Sequence, residues 1–584
     1  MKLAKLLITC LLVLTAQTSF AKTAILKAEA ASEKQTAAYG AVTGNNIPVI
    51  TWGADITAFL LQGKETLLQN NILTQISDVK SGKTPFFRGT MGQAIYASDA
   101  ICEKGDYCLE WLYKYSDSTG GDGIAVKSDI ATFADLCGKK VGLQLGGPHM
   151  DFASTLNTMA NCSAGNEINY VFFKDLGLDS KTKESAVNAL FSGEIDAAFG
   201  ITVDLKSDEA KAAKIKILST TASFRNSITD HLWVRADYAK AHPDEITKLA
   251  STLLQANEKV AAMAKANNPE WQSLKAKGAK ILFEMPDDPN FITAVGDMYL
   301  YDLTMAGWTG NYKFATCDGG NGKKEAVCFD TLVAEISNSF QKMGLLKNPK
   351  RAQSISTYKH KWDDLKVGLT ENFGVVAQTS DHNQVVNAVA KMATSGTLDQ
   401  GFVSITALFD ANDNEVHAEN YTAEFEKATQ AMVKAGGSIK TLTAHADSSK
   451  YLLAKYGTSI LPANFPKATK DKLQAEFGTN GVDEKVWKDI FQAAQDSSQK
   501  RATAMLDALE KFVDTKGINL TFENVEAQGM GVKSPVNGIC TYTYQGAKVQ
   551  DPCFPSSSEI MKQNRRVVFT AHNMDSEITI EEKF

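Results

Sequence analysis

From Ile47 onward, short continuous apolar runs alternate with stretches of helical period. Pro48 to Trp52, Gly123 to Val126, Val141 to Leu145, Ile168 to Phe173, Ile195 to Ile201 and Ile215 to Leu218 read as strands, each followed by a helical stretch. Strands that are apolar on both faces and alternate with helices predict an α/β architecture with covered sheets, running to about Leu346. The stretch from Lys347 to Leu365 is polar and basic with one proline, which suits an interdomain connection. Beyond it the rhythm changes. Strands are expected at Gly401 to Phe409, Ser438 to His445, Leu520 to Gly529 and Arg565 to Ala571. Tyr421, Phe425, Ala428 and Met432, and likewise Ala502, Met505, Leu509 and Phe512, recur at helical spacing and predict amphipathic helices.

The ends modify this picture. Lys2 and Lys5, the apolar stretch Leu6 to Val13 and the small residues before position 21 have the layout of a secretory signal over 1–21. Residues 22–45 are Ala, Glu, Lys and Thr with few large apolar side chains, so a flexible leader is expected. At 584 residues the chain calls for two or more domains. Its 61 basic and 67 acidic residues give a net charge of -6 spread along the length, which argues against a nucleic-acid partner. Eight cysteines follow the signal in close couples: Cys102 and Cys108, Cys137 and Cys162, Cys317 and Cys328, Cys540 and Cys553. In an exported chain an even count suggests disulfides, and no couple has the spacing of a zinc site.

Four front segments share one design, a strand ending in a Gly- or Asp-bearing turn that feeds a helix: ITWGADITAFLL, SDSTGGDGIAV, KKVGLQLGGPHMDFASTL and IDAAFGITVDL. Ligands bind at such strand ends, where helix-start amides lack partners. The run Asp135 to Gly142 with its Gly-rich helix entry, the run Ala189 to Ala198, and His231 to Tyr238 resemble the periplasmic substrate-binding proteins of nitrate, sulfonate and taurine-type ABC importers. That resemblance implies a two-lobed type II periplasmic-binding fold over 46–346, hinged near 123–126 and 230–234. It places Trp52, Asp55, Thr57, Ser118, Thr119, Gly147, His149, Asp151, Thr202 and Asp204 at the cleft. Three carboxylates there favour an amine- or amide-containing solute over a bare anion.

In the rear block the order Ala444-His445-Ala446-Asp447, then Ser498-Gln499-Lys500-Arg501-Ala502, Gly529-Met530-Gly531 with Ser534-Pro535, and Asn564-Arg565-Arg566-Val567 resembles OmpA-like peptidoglycan-binding domains. The resemblance implies an α+β fold of βαβαββ type over 399–575, after a connection at 347–398 and before a tail at 576–584. It assigns Asp447 to the ammonium and Arg501 to the carboxylate of diaminopimelate in the wall peptide, with Asn564 and Arg565 lining the same pocket. The motif departs at Ala444, Ala446, Ala494 and Ser497, and two insertions must loop out, one that includes 457–466 and 477–486 and one at 536–557.

No nucleophile elbow, phosphate loop or His-Glu-x-x-His site occurs, so neither an enzyme nor a bound cofactor or metal is expected. The expectation is an exported, wall-associated periplasmic protein that samples a small solute for an ABC permease. Its alternative is a structural envelope protein whose binding fold has lost its ligand.

Overall fold

The structure is a computed structural model that describes residues 23–178, 184–370, 388–392, 398–399, 401–409, 416–522 and 524–573. The expected signal, the tail and most of the connection beyond residue 370 lie outside the described residues. In the front block, β1 (Ile47–Val49) and β2 (Thr66–Leu68) pair in parallel, and β3 (Phe86–Thr90) and β4 (Leu109–Ser118) follow. The chain crosses at 119–121 into β5 (Asp122–Val126), β6 (Lys140–Gln144), β7 (Asn169–Phe173), β8 (Ala197–Ile201) and β9 (Lys216–Thr220), a sheet of order β7-β6-β8-β5-β9. It returns through 221–228 to β10 (Thr229–Arg235) and β11 (Leu303–Met305), completing a first sheet of order β11-β4-β10-β3. Two sheets joined by two crossings make two lobes. The crossings lie at 119–121 and 221–228, beside the hinge segments expected at 123–126 and 230–234, which are instead strands β5 and β10.

The helix α3 (Pro243–Ala266) packs within the first lobe, and the junction between the lobes is made by α1 (Met91–Ile101), α2 (His149–Ala160) and α4 (Phe329–Lys342). The last belongs to the first lobe yet reaches the second, where Ser339 Oγ accepts from Asn157 Nδ2 at 2.8 Å. Cys317–Cys328 closes the hairpin of β12 (Asp318–Gly320) and β13 (Lys323–Glu325) ahead of it, and the other three expected couples are bonded as well.

Two expectations are corrected here. The leader is docked along both lobes. Thr23 N donates to Glu194 and Leu26 N to Phe172 O in lobe two, while Tyr39 Oη donates to Ala100 O and Ile101 O, and Thr43 N to Gly82 O, in lobe one. Ala30 and Ala31 are buried, so small side chains give close approach to α1 where large apolar ones are missing. The connection also begins later than expected. β14 (Ser356–Thr357) pairs in parallel with β4, and Trp308 Nε1 donates to Trp362 O at 2.9 Å. Ala352, Ile355 and Leu365 are buried, so residues 347–370 belong to the front domain despite their basic composition.

The rear domain places β15 (Val403–Leu408), α5 (Thr422–Lys434), β16 (Ile439–His445), α6 (Ser449–Tyr456), α7 (Glu484–Thr515), β17 (Ile518–Asn519), β18 (Val525–Gly531), the hairpin β19 (Ile539–Tyr544) and β20 (Ala547–Pro552), and β21 (Arg566–His572) in that order. Its four-stranded sheet runs β15-β21-β16-β18, with only the β16–β18 pair parallel. Both amphipathic helices form, and Phe425, Ala428, Met432, Ala502, Met505 and Leu509 are buried as their spacing requires. The first insertion holds a 3-10 turn at Gly457–Ile460 and a helix at Lys467–Phe477, and the second is the hairpin closed by Cys540–Cys553. The two domains touch. Phe402 sits 4.9 Å from Phe224 and 5.4 Å from Phe133, and β13 pairs with β17. Among the described residues no helix is long and apolar enough to cross a membrane.

Candidate functional site

The lobe junction is built around α1. Thr90 caps this helix, and its hydroxyl accepts from Gln93 N while Gln93 Oε1 accepts from Thr90 N. A helix start presents unsatisfied N–H groups and positive partial charge. Here that position is filled from the other lobe: Asp151, in the first turn of α2, accepts from Gly92 N and from Thr90 Oγ1, each at 2.8 Å. Gly92 is needed because a Cβ there would collide with the Asp151 carboxylate. Gln93 Nε2 adds a 3.0 Å bond to Gly146 O across the same seam. Burial outweighs these hydrogen bonds and pushes the Asp151 carboxyl up to about 8.

Beside this cradle lies a fully buried ion cluster. Arg88 of β3 holds Asp55 through Nε and Nη2 and Asp230 of β10 through Nη1 at 2.9 Å. Burial pushes both carboxyls up against the pull of Arg88, Asp230 to about 6, while the guanidinium stays charged because its two partners outweigh its own burial. At the crossings, Ser118 Oγ bonds Asp122 Oδ2 at 2.7 Å and Thr221 Oγ1 at 2.8 Å, and His149 Nε2 lies 2.9 Å from Asp122 Oδ1. His149 Nδ1 is buried with no hydrogen-bond partner among the described residues.

The ten residues expected at the cleft divide accordingly. Trp52, Ser118, Thr119, His149, Asp151 and Thr202 gather at the junction. Trp52 Nε1 donates to Ser116 Oγ, and its ring fills the space that a side chain on Gly121 would need. Thr119 Oγ1 meets Thr304 Oγ1 at 3.1 Å, and Thr202 Oγ1 donates to Gly120 O across the first crossing. Gly147 is at the turn into α2. Thr57 is turned inward, its hydroxyl donating to Ala54 O within its own helical turn. Asp204 accepts from Leu178 N, and Asp55 is neutralised by Arg88. All three expected carboxylates are engaged inside the protein, so the charge reasoning for an amine finds no support in this closed arrangement. Sequence reasoning missed Arg88, Asp122, Asp230, Thr90 and Gly92. The signal for Arg88 was present: an arginine in the apolar run Phe86-Phe87-Arg88 requires a buried counter-charge.

In the rear domain the motif residues meet at one end of the sheet. Gly531 N donates to Ser498 Oγ and Gly529 N to Gln499 Oε1, so α7 satisfies the outer edge of β18. A side chain at Gly529 would strike the Gln499 backbone. This docking presents the next residue of the motif, Arg501, whose guanidinium lies 5.6 Å from the Phe409 ring centroid. Arg565 Nε reaches Phe409 O at 3.4 Å. Asp447, past the end of β16, accepts from Ser449 Oγ at 2.9 Å; burial pushes its carboxyl up while Ser449 and the charge of Arg565 pull it down. Arg501 and Arg565 therefore both approach Phe409, and Arg565 lies in the electrostatic field of Asp447. Asn564 is directed elsewhere: its amide binds Val536 N and Asn537 and anchors the second insertion.

Two sheets, two crossings and a polar seam define a two-lobed α/β architecture. No family model and no curated protein matches the chain. Among solved structures it is similar to the periplasmic aliphatic sulphonate binding protein SsuA from Escherichia coli, at 14% identity over 55% of this chain and 94% of that one, with a TM-score of 0.36. It is also similar to the alkanesulfonate-binding protein SsuA from Xanthomonas axonopodis pv. citri bound to MOPS (12% identity, 55% and 100% covered, TM-score 0.36) and to the periplasmic nitrate-binding protein NrtA from Synechocystis PCC 6803 (12%, 57% and 90%, TM-score 0.36).

Proposed function

We propose that this is an exported solute-binding protein that receives a small polar solute between its lobes for a membrane permease of the ABC type, and that its rear domain adheres to peptidoglycan. The observation that supports the front half is the cradle at α1. The lobes meet there through hydrogen bonds and a single carboxylate, and such a seam parts at less cost than an apolar core, because water satisfies the separated groups. A solute bearing acceptor oxygens could replace Asp151 on Thr90 and Gly92, and contacts made only in the closed form would supply the energy of closure. In the rear half, Asp447 and the guanidinium groups of Arg501 and Arg565 beside Phe409 offer a carboxylate and a cation for a zwitterionic stem peptide.

A second reading, a closed interaction module without a solute, is favoured by the docked leader and by α4, both of which span the lobes. One co-sedimentation experiment separates the possibilities. Native protein mixed with purified sacculi is expected in the pellet together with about one equivalent of a small molecule detectable by mass spectrometry. Asp447→Ala should leave both in the supernatant. A pellet with protein but no small molecule selects the closed module, and wild-type protein that stays in solution removes wall binding.

A further inference from the structure

The rear domain is fastened to both lobes of the front domain. On lobe two, near the end of β9, Asn573 Oδ1 accepts from Ser219 Oγ and Asn573 Nδ2 donates to Leu218 O, each at 2.8 Å. On lobe one, β17 pairs with β13, and Lys324 N donates to Gly517 O at 2.8 Å. Lys434, the last residue of α5, forms an ion pair with Glu335 of α4. The other oxygen of that carboxylate accepts from Thr158 of α2 at 3.4 Å, so lobe one, lobe two and the rear domain meet at Glu335. Between these attachments the second crossing is gripped as well: Gly437 N donates to Ser223 O at 3.2 Å, and the Phe402 ring packs on Phe224. A side chain at Gly437 would collide with Ala222 O, so glycine is what permits this approach.

We infer that the rear domain is a brace across the hinge, an autoinhibitory contact that holds the two lobes closed and restrains the entry of solute between them. The inference rests on the hinged reading proposed above. A hinge works through backbone changes in a few connecting residues, and here one of the two connections is bonded to a third body. The attachments to the two lobes belong to one folded unit: β21 and β18 flank β16, and α7, which leads into β17, is hydrogen-bonded along β18. A unit joined to both lobes cannot follow both when they separate. Either the Asn573 bonds to lobe two or the β17 and Lys434 contacts to lobe one must break. Each hydrogen bond that opening breaks shifts the balance toward the closed form by roughly two- to tenfold. Asn573 makes three such bonds, the third being from Ser223 Oγ at 3.2 Å. A rear domain drawn away from this position would release the lobes, so its placement governs loading.

The test is the distance distribution between spin labels on the two lobes, at exposed positions Lys240 and Glu209, in the full chain stripped of small molecules. Asn573→Ala should raise the open-to-closed ratio about tenfold or more. Lys434→Glu sets a like charge against Glu335 and should raise it too, and adding Glu335→Lys to that variant should bring the ratio back toward wild type. Lys127→Ala removes an ion pair with Asp196 inside lobe two and should leave the ratio unchanged. If Asn573→Ala does not fold, the charge exchange at 434 and 335 decides. Two populations whose ratio is the same in wild type, Asn573→Ala and Lys434→Glu overturn the brace and leave the hinged reading standing. An equal rise in Lys127→Ala also overturns the brace, since general loosening would then explain the effect. One fixed distance in every protein overturns the brace and the hinged reading together.

Discussion

Arg88 is the residue on which the front junction depends, since it is the guanidinium that holds both Asp55 and Asp230 out of water. Replacing it with methionine leaves two buried carboxylates without a partner. A broken buried pair costs about 3–5 kcal/mol, and Arg88→Met should lower the unfolding free energy by that amount in chemical denaturation. Asp151 makes a prediction with a definite sign. Its folded carboxyl titrates at about 8, against roughly 3.9 in the unfolded chain, so the folded protein keeps a proton that the unfolded chain gives up. Stability from this group is present at low pH and is lost as pH rises between those values. In urea melts across that range the advantage of Asp151→Asn over wild type should widen with pH and then level off above about 8; a constant difference would show that Asp151 is charged throughout. At this scale the sequence was partly legible. Turn residues such as Asp151 and Ser118 were identifiable from strand-to-helix junctions. The roles of Asp55 and Asp204 were not, because the partners Arg88 and Leu178 lie 33 and 26 positions away in sequence.

Elements were more legible than contacts. Six front strands and four rear strands lie where continuous apolar runs predicted them, because a strand buried on both faces must be apolar along its length. β3 and β4 were passed over: Arg88 interrupts one, and Glu110, Lys114 and Asp117 the other, and each charge is tolerated only through a tertiary partner or a surface-facing end. The leader was misread for a related reason. A segment of alanines does not look like part of a core, yet Ala30 and Ala31 are buried where it packs against α1. Ala31→Asp places a carboxylate in that contact and should cost more than about 2 kcal/mol. Limited proteolysis should then cut between residues 23 and 43 well before the rest of the chain; an unchanged cleavage pattern would mean that the leader is not held by this contact.

For the whole molecule, the proposed function requires two lobes, joined by the crossings at 119–121 and 221–228, that part and close. Hydrogen bonds at Thr90, Gly92 and Gln93 hold the junction shut from within, while the leader and α4 span it from outside. The rear domain meets the second crossing through Phe402 on Phe224 and the first lobe through the β13–β17 pair, so under the proposed function solute and wall contact would be felt by one body. This coupling could not be read in the sequence, because the seam joins residues far apart along the chain, such as Ser219 and Asn573. The most direct measurement is the distance between spin labels at exposed positions Lys240 in lobe one and Glu209 in lobe two. In protein stripped of small molecules, a second, longer population is expected beside the closed one, and adding the native solute should collapse it. A single distance that no added solute or change of pH alters would contradict the hinged binding function.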